Sequence, residues 1–398
     1  MYPPEVSSAA QIIAELAEGL ATRGYMVSVL ATYPRHYLPA EFRQKKFAEV
    51  TEEGGVKIIR IKILAHRKVN FILRGFSQLL MPLIFFWKAS KFIKDRIDTI
   101  IVFTPPLPLA LAAGALKRRH RARFILLVGD IFPQNAIDLR ILSGWKYKPA
   151  VWLFEWMEKA AYKSADILTF HSEAGRQYLI EKRAVPPEKV VTIPHWIDVS
   201  AYQNLTRHIS FRARWAFQGK FIFLFAGVIG PAQRLEFILE VAKQVPDLKN
   251  IIFLLVGDGM ERKKIEQLIK NGNINNVLVK PFVSEAEYPY LVRDADVGLV
   301  CLSPENRTPF VPGKLWGYLA AGKPVLAFLH KESGGFELIE NAGCGYAIPA
   351  QDAKAAAALV RQMYHDRQNL PRLGERGLVY ATKHLSLEKG LDAVEKLF

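Results

Sequence analysis

The sequence contains little cysteine and no long uninterrupted apolar run. Its 398 residues include two cysteines, Cys301 and Cys344, far apart and without a CxxC partner. They exclude a disulfide framework and indicate reduced thiols in a reducing compartment. The N-terminus lacks a basic region followed by an apolar stretch, so we expect no signal peptide. HExxH motifs and clustered metal-ligand spacings are also missing from the sequence, so we expect no protein-bound metal.

Acidic residues are fewer than basic ones, 38 against 54, which gives a formal net charge of +16. Such an excess suits nucleic acid, an anionic membrane face or phosphorylated substrates. The basic residues are scattered, apart from one denser run at 117–123. The chain has neither zinc-finger spacing nor an RNA-binding aromatic signature, so we expect no nucleic-acid partner.

The most hydrophobic stretch runs from Phe71 to Ile93 and contains Pro82. Its uninterrupted apolar part, Leu79–Trp87, is much shorter than the ~20 residues that span a bilayer. Two interpretations stay open. The stretch is either a buried crossover helix or an interfacial helix whose aromatic residues lie among lipid headgroups while its lysines face anionic lipid.

Short apolar strands alternate with helical patterns along almost the whole chain, first between Met26 and Ile193 and again between Phe221 and Ile348. This alternation predicts parallel sheets covered by helices on both faces, and two series predict two doubly wound α/β domains. We place the first domain at 1–199 and the second at 200–385. A C-terminal helix at 386–398 is expected to cross back to the first domain.

The chain opens with Tyr2-Pro3-Pro4-Glu5, a sequence typical of the loop that follows a first strand. We therefore expect either that the natural start lies upstream or that this copy lacks the first strand of its N-terminal domain.

Ligands of parallel sheets bind beyond the carboxyl ends of the strands. In the second series, those positions carry the glycine-rich loop at Gly227, the turn at Gly257 and Gly259, and the segment Pro312-Gly313-Lys314. Glycines allow backbone amides to approach a ligand, and a cation at a helix start suits a phosphate. Arg234 is a second candidate for binding a diphosphate, or else an exposed helix-start arginine.

In the first series, Gly129 and Asp130 follow the strand Phe124–Val128. A carboxylate at this position is a candidate acid, base or hydroxyl binder, or else a helix cap. His171 and His195 follow the next two strands. A Ser–His hydrolase is excluded, because the sequence has no G-x-S-x-G elbow.

These segments together resemble the retaining glycosyltransferases of family 4, which have the GT-B fold, and among them the bacterial colanic-acid and O-antigen sugar transferases. The resemblance runs nearly end to end, and the order and spacing of the motifs carry it. The matching segments include Thr104-Pro105-Pro106, Asp130-Ile131-Phe132-Pro133, Ile193-Pro194-His195-Trp196-Ile197-Asp198, Val256-Gly257-Asp258-Gly259, Pro312-Gly313-Lys314 and Ala320-Ala321-Gly322-Lys323-Pro324.

The resemblance implies two Rossmann-like domains facing a cleft, with a nucleotide-sugar donor on the second and the acceptor on the first. It implies that Gly227, Arg234 and Lys314 lie near the diphosphate, with Pro312 and Gly313 in the same donor-binding segment. By the same resemblance, Gly257 and Gly259 lie near the nucleoside and Glu5 in a loop over the phosphates. Asp130 is expected to face the acceptor or the donor sugar. No cofactor or metal is expected.

Several positions depart from the family pattern. Two glutamates common in the family correspond here to Pro309 and Gly317, the second of which would grip the ribose. A lysine common after the first loop of the second domain corresponds to Pro231. Losing two charge-assisted hydrogen bonds of about 1.5–3 kcal/mol each would cost a hundredfold or more in donor affinity.

Three functions are therefore considered. The first is a glycosyltransferase that acts on a saccharide or lipid-linked acceptor in surface polysaccharide synthesis, at an anionic membrane surface on the inner face of the plasma membrane. The second is a catalytically weakened relative that binds or scaffolds partners. The third, an epimerase on the same fold, is disfavoured because it needs acid and base carboxylates that these segments lack.

Overall fold

The computed structural model describes residues 2–5, 8–34, 38, 42, 44–63 and 71–398. The chain divides into two compact units. The first unit comprises Met1–Ile137, Leu142–His195 and Leu387–Phe398, and the second comprises Asp138–Ile141 and Trp196–Ser386. The acceptor and donor roles expected for 1–199 and 200–385 stay predictions.

The first unit alternates strands and helices. Its strands are β1 (Val27–Thr32), β2 (Val50–Glu53), β3 (Val56–Ile61), β4 (Thr99–Thr104), β5 (Arg123–Val128), β6 (Ile167–Phe170) and β7 (Val190–Thr192). Its helices are α1 (Ser8–Thr22), α2 (Phe71–Phe92), α3 (Leu109–His120), α4 (Gln134–Asp138), α5 (Lys148–Ser164) and α6 (Glu173–Arg183).

The strands of the first unit form two sheets. One has the order β1-β3-β2, in which β2 is antiparallel to β3, and the other is the parallel sheet β4-β5-β6-β7. Helix α1 packs on the smaller sheet through Ala14 and Ala17. Helices α3 and α5 pack on the larger sheet through residues such as Ala113 and Met157.

The second unit continues the alternation. Its strands are β8 (Phe221–Ala226), β9 (Ile251–Val256), β10 (Val277–Lys280), β11 (Val297–Cys301), β12 (Val325–Leu329) and β13 (Gly345–Pro349). Its helices are α7 (Ser200–Gln203), α8 (Phe211–Arg214), α9 (Glu236–Ala242), α10 (Arg262–Asn271), α11 (Tyr288–Asp294), α12 (Lys314–Ala320), α13 (Gly335–Ala342), α14 (Ala353–His365) and α15 (Leu370–His384).

The six strands of the second unit form one parallel sheet in the order β10-β9-β8-β11-β12-β13. Every residue of β8, β9, β11 and β12 is buried, as expected for central strands covered by helices on both faces. Alternate residues supply two cores. Leu224 and Leu254 point into the core that holds α12, whereas Phe223 and Phe253 point into the core that holds α9.

The last helix, α16 (Leu387–Glu395), belongs to the first unit. Arg23, just after α1, binds three carboxylates of α16 at 2.6–2.8 Å, from Glu388, Asp392 and Glu395. These ion pairs and the packing of Leu391 against Gly19 fasten the C-terminal helix to the first unit.

Most strands lie within one or two residues of their predicted positions, and α2 continues through Pro82 from Phe71 to Phe92. The antiparallel strand β2 and the helices α4, α7, α8, α13 and α15 were not predicted. Across the described parts of the chain, no helix combines the length and the apolar character that crossing a membrane requires.

Candidate functional site

Two glycine-containing loops lie side by side at the carboxyl edge of the second unit's sheet. The loop after β8 and the loop after β9 exchange backbone hydrogen bonds. The amide of Gly227 donates to the Val256 carbonyl (2.9 Å), and that of Ile229 donates to the Asp258 carbonyl (2.9 Å). The predicted strand–glycine–helix turns therefore form one continuous backbone surface.

The close approach of these loops requires glycine. A Cβ placed on Gly257 would lie 1.8 Å from the Gly227 carbonyl oxygen, and one on Gly259 would lie 2.2 Å from the Ile229 carbonyl oxygen. Gly227 has φ +144°, which residues with a side chain rarely adopt. Any side chain at these positions would separate the loops.

The loop between β11 and α12 lies at the same edge. The Ser303 amide donates to the carbonyl of Ala232 (2.8 Å), which joins this loop to the one after β8. Asn306 accepts hydrogen bonds from the backbone amide (3.1 Å) and hydroxyl (2.8 Å) of Thr308. This internal bonding fixes the path of the chain into Pro312, which is buried, and Gly313, which is exposed and precedes α12.

Lys314 is the first residue of α12, and its side chain lies over the glycine loop. A Cβ on Gly227 would lie 2.8 Å from Cε and 3.1 Å from Nζ of Lys314, and that Nζ is 4.5 Å from the ring centroid of Phe225. The ammonium has no carboxylate within ion-pair distance among the described residues. Burial lowers the pKa of Lys314 to about 8. The site thus holds a half-buried cation whose counter-charge the described chain does not supply.

Arg234 does not lie at a helix start, where the sequence predicted it. Helix α9 starts at Glu236, and Arg234 has a left-handed backbone (φ +41°) after a short 3-10 turn. Its guanidinium lies 3.5 Å from the Ala350 carbonyl oxygen and 3.9 Å from a carboxylate oxygen of Glu240. Its proximity to a diphosphate stays a prediction, and this conformation directs its guanidinium to protein oxygens.

Gly317, the position at which the family pattern has glutamate, faces two tyrosine hydroxyls. A Cβ on Gly317 would lie 3.1 Å from the Tyr202 hydroxyl oxygen and 3.4 Å from that of Tyr288. Burial raises the pKa of Tyr288, so its hydroxyl stays protonated at neutral pH. Phenolic hydroxyls therefore lie where a carboxylate was expected. Neither tyrosine was predicted from the sequence, because they come from α7 and α11, which are distant in the chain.

Asp130 follows β5 at the carboxyl edge of the larger sheet in the first unit. Within the described part of the chain its carboxylate has no hydrogen-bonding or ion-pair partner, so it does not act as the helix cap considered above. Burial raises the pKa of Asp130 to about 7, so both the protonated and the ionised carboxyl are present near neutral pH. Such a group can accept or donate a hydrogen bond to a hydroxyl.

Two histidines that follow β6 and β7 lie at this same edge. The rings of His171 and His195 stack with centroids 4.7 Å apart, and Phe170 stacks on His171 at 4.4 Å. Burial lowers the pKa of His195 to about 4 and that of His171 well below its ordinary value. Both rings are therefore neutral near pH 7. The sequence located each histidine at a strand end but not their contact.

Of the predicted site residues in the second unit, the structure brings Gly227, Gly257, Gly259 and Lys314 together. Pro312 and Gly313 lead directly into Lys314, and the Arg234 guanidinium lies beside the Ala350 carbonyl oxygen and Glu240. In the first unit, Asp130 lies at a sheet edge, and Glu5 is buried, with its amide 3.3 Å from the carbonyl oxygen of Tyr2.

Two family models match successive parts of the chain. The model described as "Glycosyl transferase 4-like domain" matches residues 8–196, and the one described as "Glycosyl transferases group 1" matches residues 208–378. The chain belongs to the glycosyltransferases. It is similar to an Escherichia coli K12 protein named as the colanic acid biosynthesis glycosyl transferase WcaI. The two are 24% identical over 91% of this chain and 89% of WcaI.

Solved structures establish the fold of this glycosyltransferase. Sucrose-phosphate synthase from Thermosynechococcus elongatus superposes with a TM-score of 0.76 at 17% identity, covering 98% of this chain and 93% of that chain. Anabaena HepE in complex with UDP-glucose superposes with a TM-score of 0.69 at 15% identity, covering 100% of this chain and 97% of that chain. The fold is GT-B, as the sequence predicted.

Proposed function

We propose that this chain is a retaining, metal-independent glycosyltransferase that takes a sugar from a nucleoside-diphosphate sugar. Its acceptor is proposed to be a lipid-linked saccharide on the inner face of the plasma membrane, in surface polysaccharide synthesis. The similarity to WcaI, named for colanic acid biosynthesis, supports the pathway class. HepE, which has the same fold, was solved with UDP-glucose, and this supports the donor class.

The environment of the Lys314 ammonium is the observation that carries the proposal. A half-buried ammonium without a carboxylate partner in the described chain is costly unless an anion joins it. It lies directly over Gly227, where the missing side chain leaves room for the lysine side chain beside the backbone. A donor diphosphate supplies the needed charge, and its binding would raise the pKa of Lys314 again.

The proposed reaction breaks the bond between the anomeric carbon and the diphosphate oxygen. The acceptor hydroxyl oxygen forms its bond to that carbon on the same face, and its proton passes to the departing diphosphate. Configuration is therefore retained. The protein has to stabilise the negative charge that grows on the leaving oxygen, which is the role we assign to Lys314. A fixed ammonium can do so in place of a metal ion.

The remaining predicted residues receive supporting roles. Gly257 and Gly259 allow the two loops to pack closely beside the proposed nucleoside position, and the Pro312-Gly313 segment positions Lys314. Asp130 is proposed to orient a sugar hydroxyl, since its pKa of about 7 lets it both donate and accept a hydrogen bond. Glu5 is assigned to the loop over the phosphates by family resemblance alone.

A catalytically weakened, scaffolding relative is the second candidate, because two expected donor contacts are altered. Gly317 provides no carboxylate for the ribose, and the Arg234 guanidinium lies beside Ala350 and Glu240. A protein with this function would bind nucleotide sugars weakly or not at all.

A thermal-shift screen of the full chain with UDP-, GDP-, ADP- and TDP-sugars separates the two candidates. Ligand at a hundred times its dissociation constant stabilises a protein by about 2.7 kcal/mol, so the transferase should show a clear rise in Tm with one donor class. Transfer to a lipid-linked acceptor is then measured with the donor that binds.

Lys314→Met tests the assignment of the phosphate site. The variant should keep the fold and lose about a hundredfold in donor affinity. Lys323→Met is the matched control: Lys323 is also half-buried with a pKa lowered by burial, but it precedes β12, at the amino edge of the same sheet. No shift with any donor would refute the transferase proposal, and equal affinities in the two variants would remove Lys314 from the site.

A further inference from the structure

The outward sides of two helices in the first unit, α2 and α5, carry exposed apolar residues next to cations. On α2, Leu83 is 66% exposed and Trp87 is 58% exposed, and Leu79 continues the same strip one turn earlier. On α5, Trp152 is 69% exposed and Trp156 is 52% exposed. Spacings of four residues place each set on one side of its helix. Large aromatic side chains that stay in water at such spacing indicate an interaction surface.

Helices α2, α3 and α5 form one layer, with α3 in the middle. Met81 and Phe85 of α2 pack with Ala112 of α3, and α5 packs with α3 through a separate core. The buried sides of α2 and α5 therefore face the sheets and α3. Their exposed strips point away from the sheets on the same side of the unit. We call this surface the three-helix face.

Cations gather where the C-terminal ends of the three helices meet. The Arg119 guanidinium lies 6.0 Å from the ring centroid of Phe86 on α2. Lys117 donates to the Ser164 carbonyl oxygen (2.9 Å) at the end of α5. These contacts bring the ends together. The exposed basic residues there are Lys91, Arg118, Arg119, Lys159 and Lys163.

Acidic residues do not balance these cations. The sequences of α2, α3 and α5 contain nine lysines and arginines but two glutamates. One of them, Glu158, is buried and paired with Arg183 at 3.0 Å. Glu155 is exposed. The three-helix face thus combines aromatic side chains with a clear excess of positive charge.

We propose that the three-helix face docks this chain on an anionic lipid bilayer. Tryptophans favour the headgroup region, and lysines and arginines attract anionic headgroups. A second copy of this chain is a poorer partner, because it would place the same cations against each other. The bilayer is where a lipid-linked acceptor resides, so the surface deepens the proposed function and rests on it for its biological purpose. Docking itself requires no substrate.

Vesicle binding of the full chain tests the proposal without donor or acceptor. The protein should pellet with vesicles of phosphatidylcholine and phosphatidylglycerol at low salt. It should bind phosphatidylcholine vesicles far less and leave the anionic ones at high salt. Brominated phosphatidylcholine in the anionic vesicles should quench the tryptophan fluorescence. If the chain binds a donor but does not bind anionic vesicles, the docking proposal is refuted and the transferase proposal is unaffected.

Variants locate the surface. Trp152→Ser with Trp156→Ser should lower vesicle affinity about tenfold, as should Leu83→Ser with Trp87→Ser. The matched control is Phe282→Ser with Val379→Ser, which removes exposed apolar residues of the second unit and should leave the affinity unchanged.

A charge series tests the electrostatic part. Replacing Lys91, Arg118, Lys159 and Lys163 by glutamine should lower affinity about 600-fold, at about fivefold per cation. Glutamine at Lys263, Lys270 and Lys383, exposed in the second unit, is the control. Wild-type binding in both face variants and the charge variant would overturn the proposal. The proposal would also be overturned if the chain did not bind vesicles and instead formed a dimer in sedimentation velocity that the tryptophan variants abolish.

Discussion

The two units present carboxyl edges of parallel sheets that differ in charge. The edge in the second unit holds Lys314, a cation without a carboxylate partner in the described chain, over tightly paired glycine loops. The edge in the first unit holds His171 and His195, both neutral near pH 7, and Asp130, with a pKa of about 7. The same topology therefore gives one edge suited to an anion and another suited to uncharged hydroxyls, because the side chains after the strands differ.

The sheets behind these edges differ as well. In the second unit six strands form one sheet whose central strands are fully buried. In the first unit the strands form two sheets, and five of the six residues of β4 are only half-buried. More apolar surface leaves water in the second unit, so we expect its loops to be held more rigidly.

The largest expected effect comes from adding a side chain at Gly257, where the two glycine loops of the second unit touch. Gly257→Ala puts a Cβ 1.8 Å from the Gly227 carbonyl oxygen and should destabilise that unit by about 3 kcal/mol in urea unfolding, with loss of donor binding. Gly129→Ala, its counterpart in the first unit, meets the Thr104 carbonyl at 2.8 Å and should cost less. Gly219→Ala, in open space at φ +70°, is the control at about 1 kcal/mol. Equal costs at Gly257 and Gly219 would contradict the proposed loop packing.

The next effect is the contribution of Asp130 to the pH dependence of the free energy of unfolding. Its pKa is raised from an unfolded value of about 3.9 to about 7, so the folded state keeps a proton that the unfolded state loses. The stability it contributes is complete at low pH and falls between about pH 4 and pH 7. Asp130→Asn cannot ionise, so its stability relative to wild type should rise by about 2.6 kcal/mol between about pH 5 and about pH 8.

Chemical unfolding at the two pH values measures this difference, while donor–acceptor transfer by the variant should fall. A relative stability independent of pH would mean that Asp130 is not desolvated in the folded protein.

A smaller effect is expected in the pH dependence of donor affinity, which depends on the charge of Lys314. The pKa of Lys314 is lowered to about 8, so the free protein loses its charge as pH rises through that value. Donor affinity should fall about tenfold for each pH unit above about pH 8, because binding then requires uptake of a proton. Titration calorimetry in two buffers of different ionisation enthalpy detects that proton. Lys314→Met should bind weakly at all pH values, and the same pH dependence in this variant would assign it to another group.

The smallest effect concerns Gly317. Glutamate at this position would restore the carboxylate typical of the family, and we expect donor affinity to increase up to about tenfold. The new Cβ lies 3.1 Å from the Tyr202 hydroxyl, so the tyrosine must move slightly. Gly317→Ala adds the same Cβ without the charge. Equal donor affinities of the two variants would show that no ribose hydroxyl lies there.

Much of the fold was readable from local pattern. Alternating apolar and helical segments predicted the parallel sheets, because buried central strands need continuous apolar runs. The helix start at Lys314 was predicted from the Pro-Gly-Lys segment. The antiparallel strand β2 was not, since its four residues, half-buried or exposed, carry too little pattern. Arg234 was expected at a helix start, but its left-handed backbone turns the side chain toward Ala350.

The sequence by itself determined the two series of alternating strands and helices and the glycines and lysine of the second unit's edge, because periodicity and turn chemistry act over a few neighbouring residues. The GT-B fold was implied by the resemblance of its motifs to family 4. Only the tertiary structure decided that His171 stacks on His195, that Tyr202 and Tyr288 meet at Gly317, and that Trp152 and Trp156 stay exposed beside α3. Burial and contact join residues that are distant in the chain. Desolvation then set the protonation of Asp130 and Lys314, which no local pattern contains.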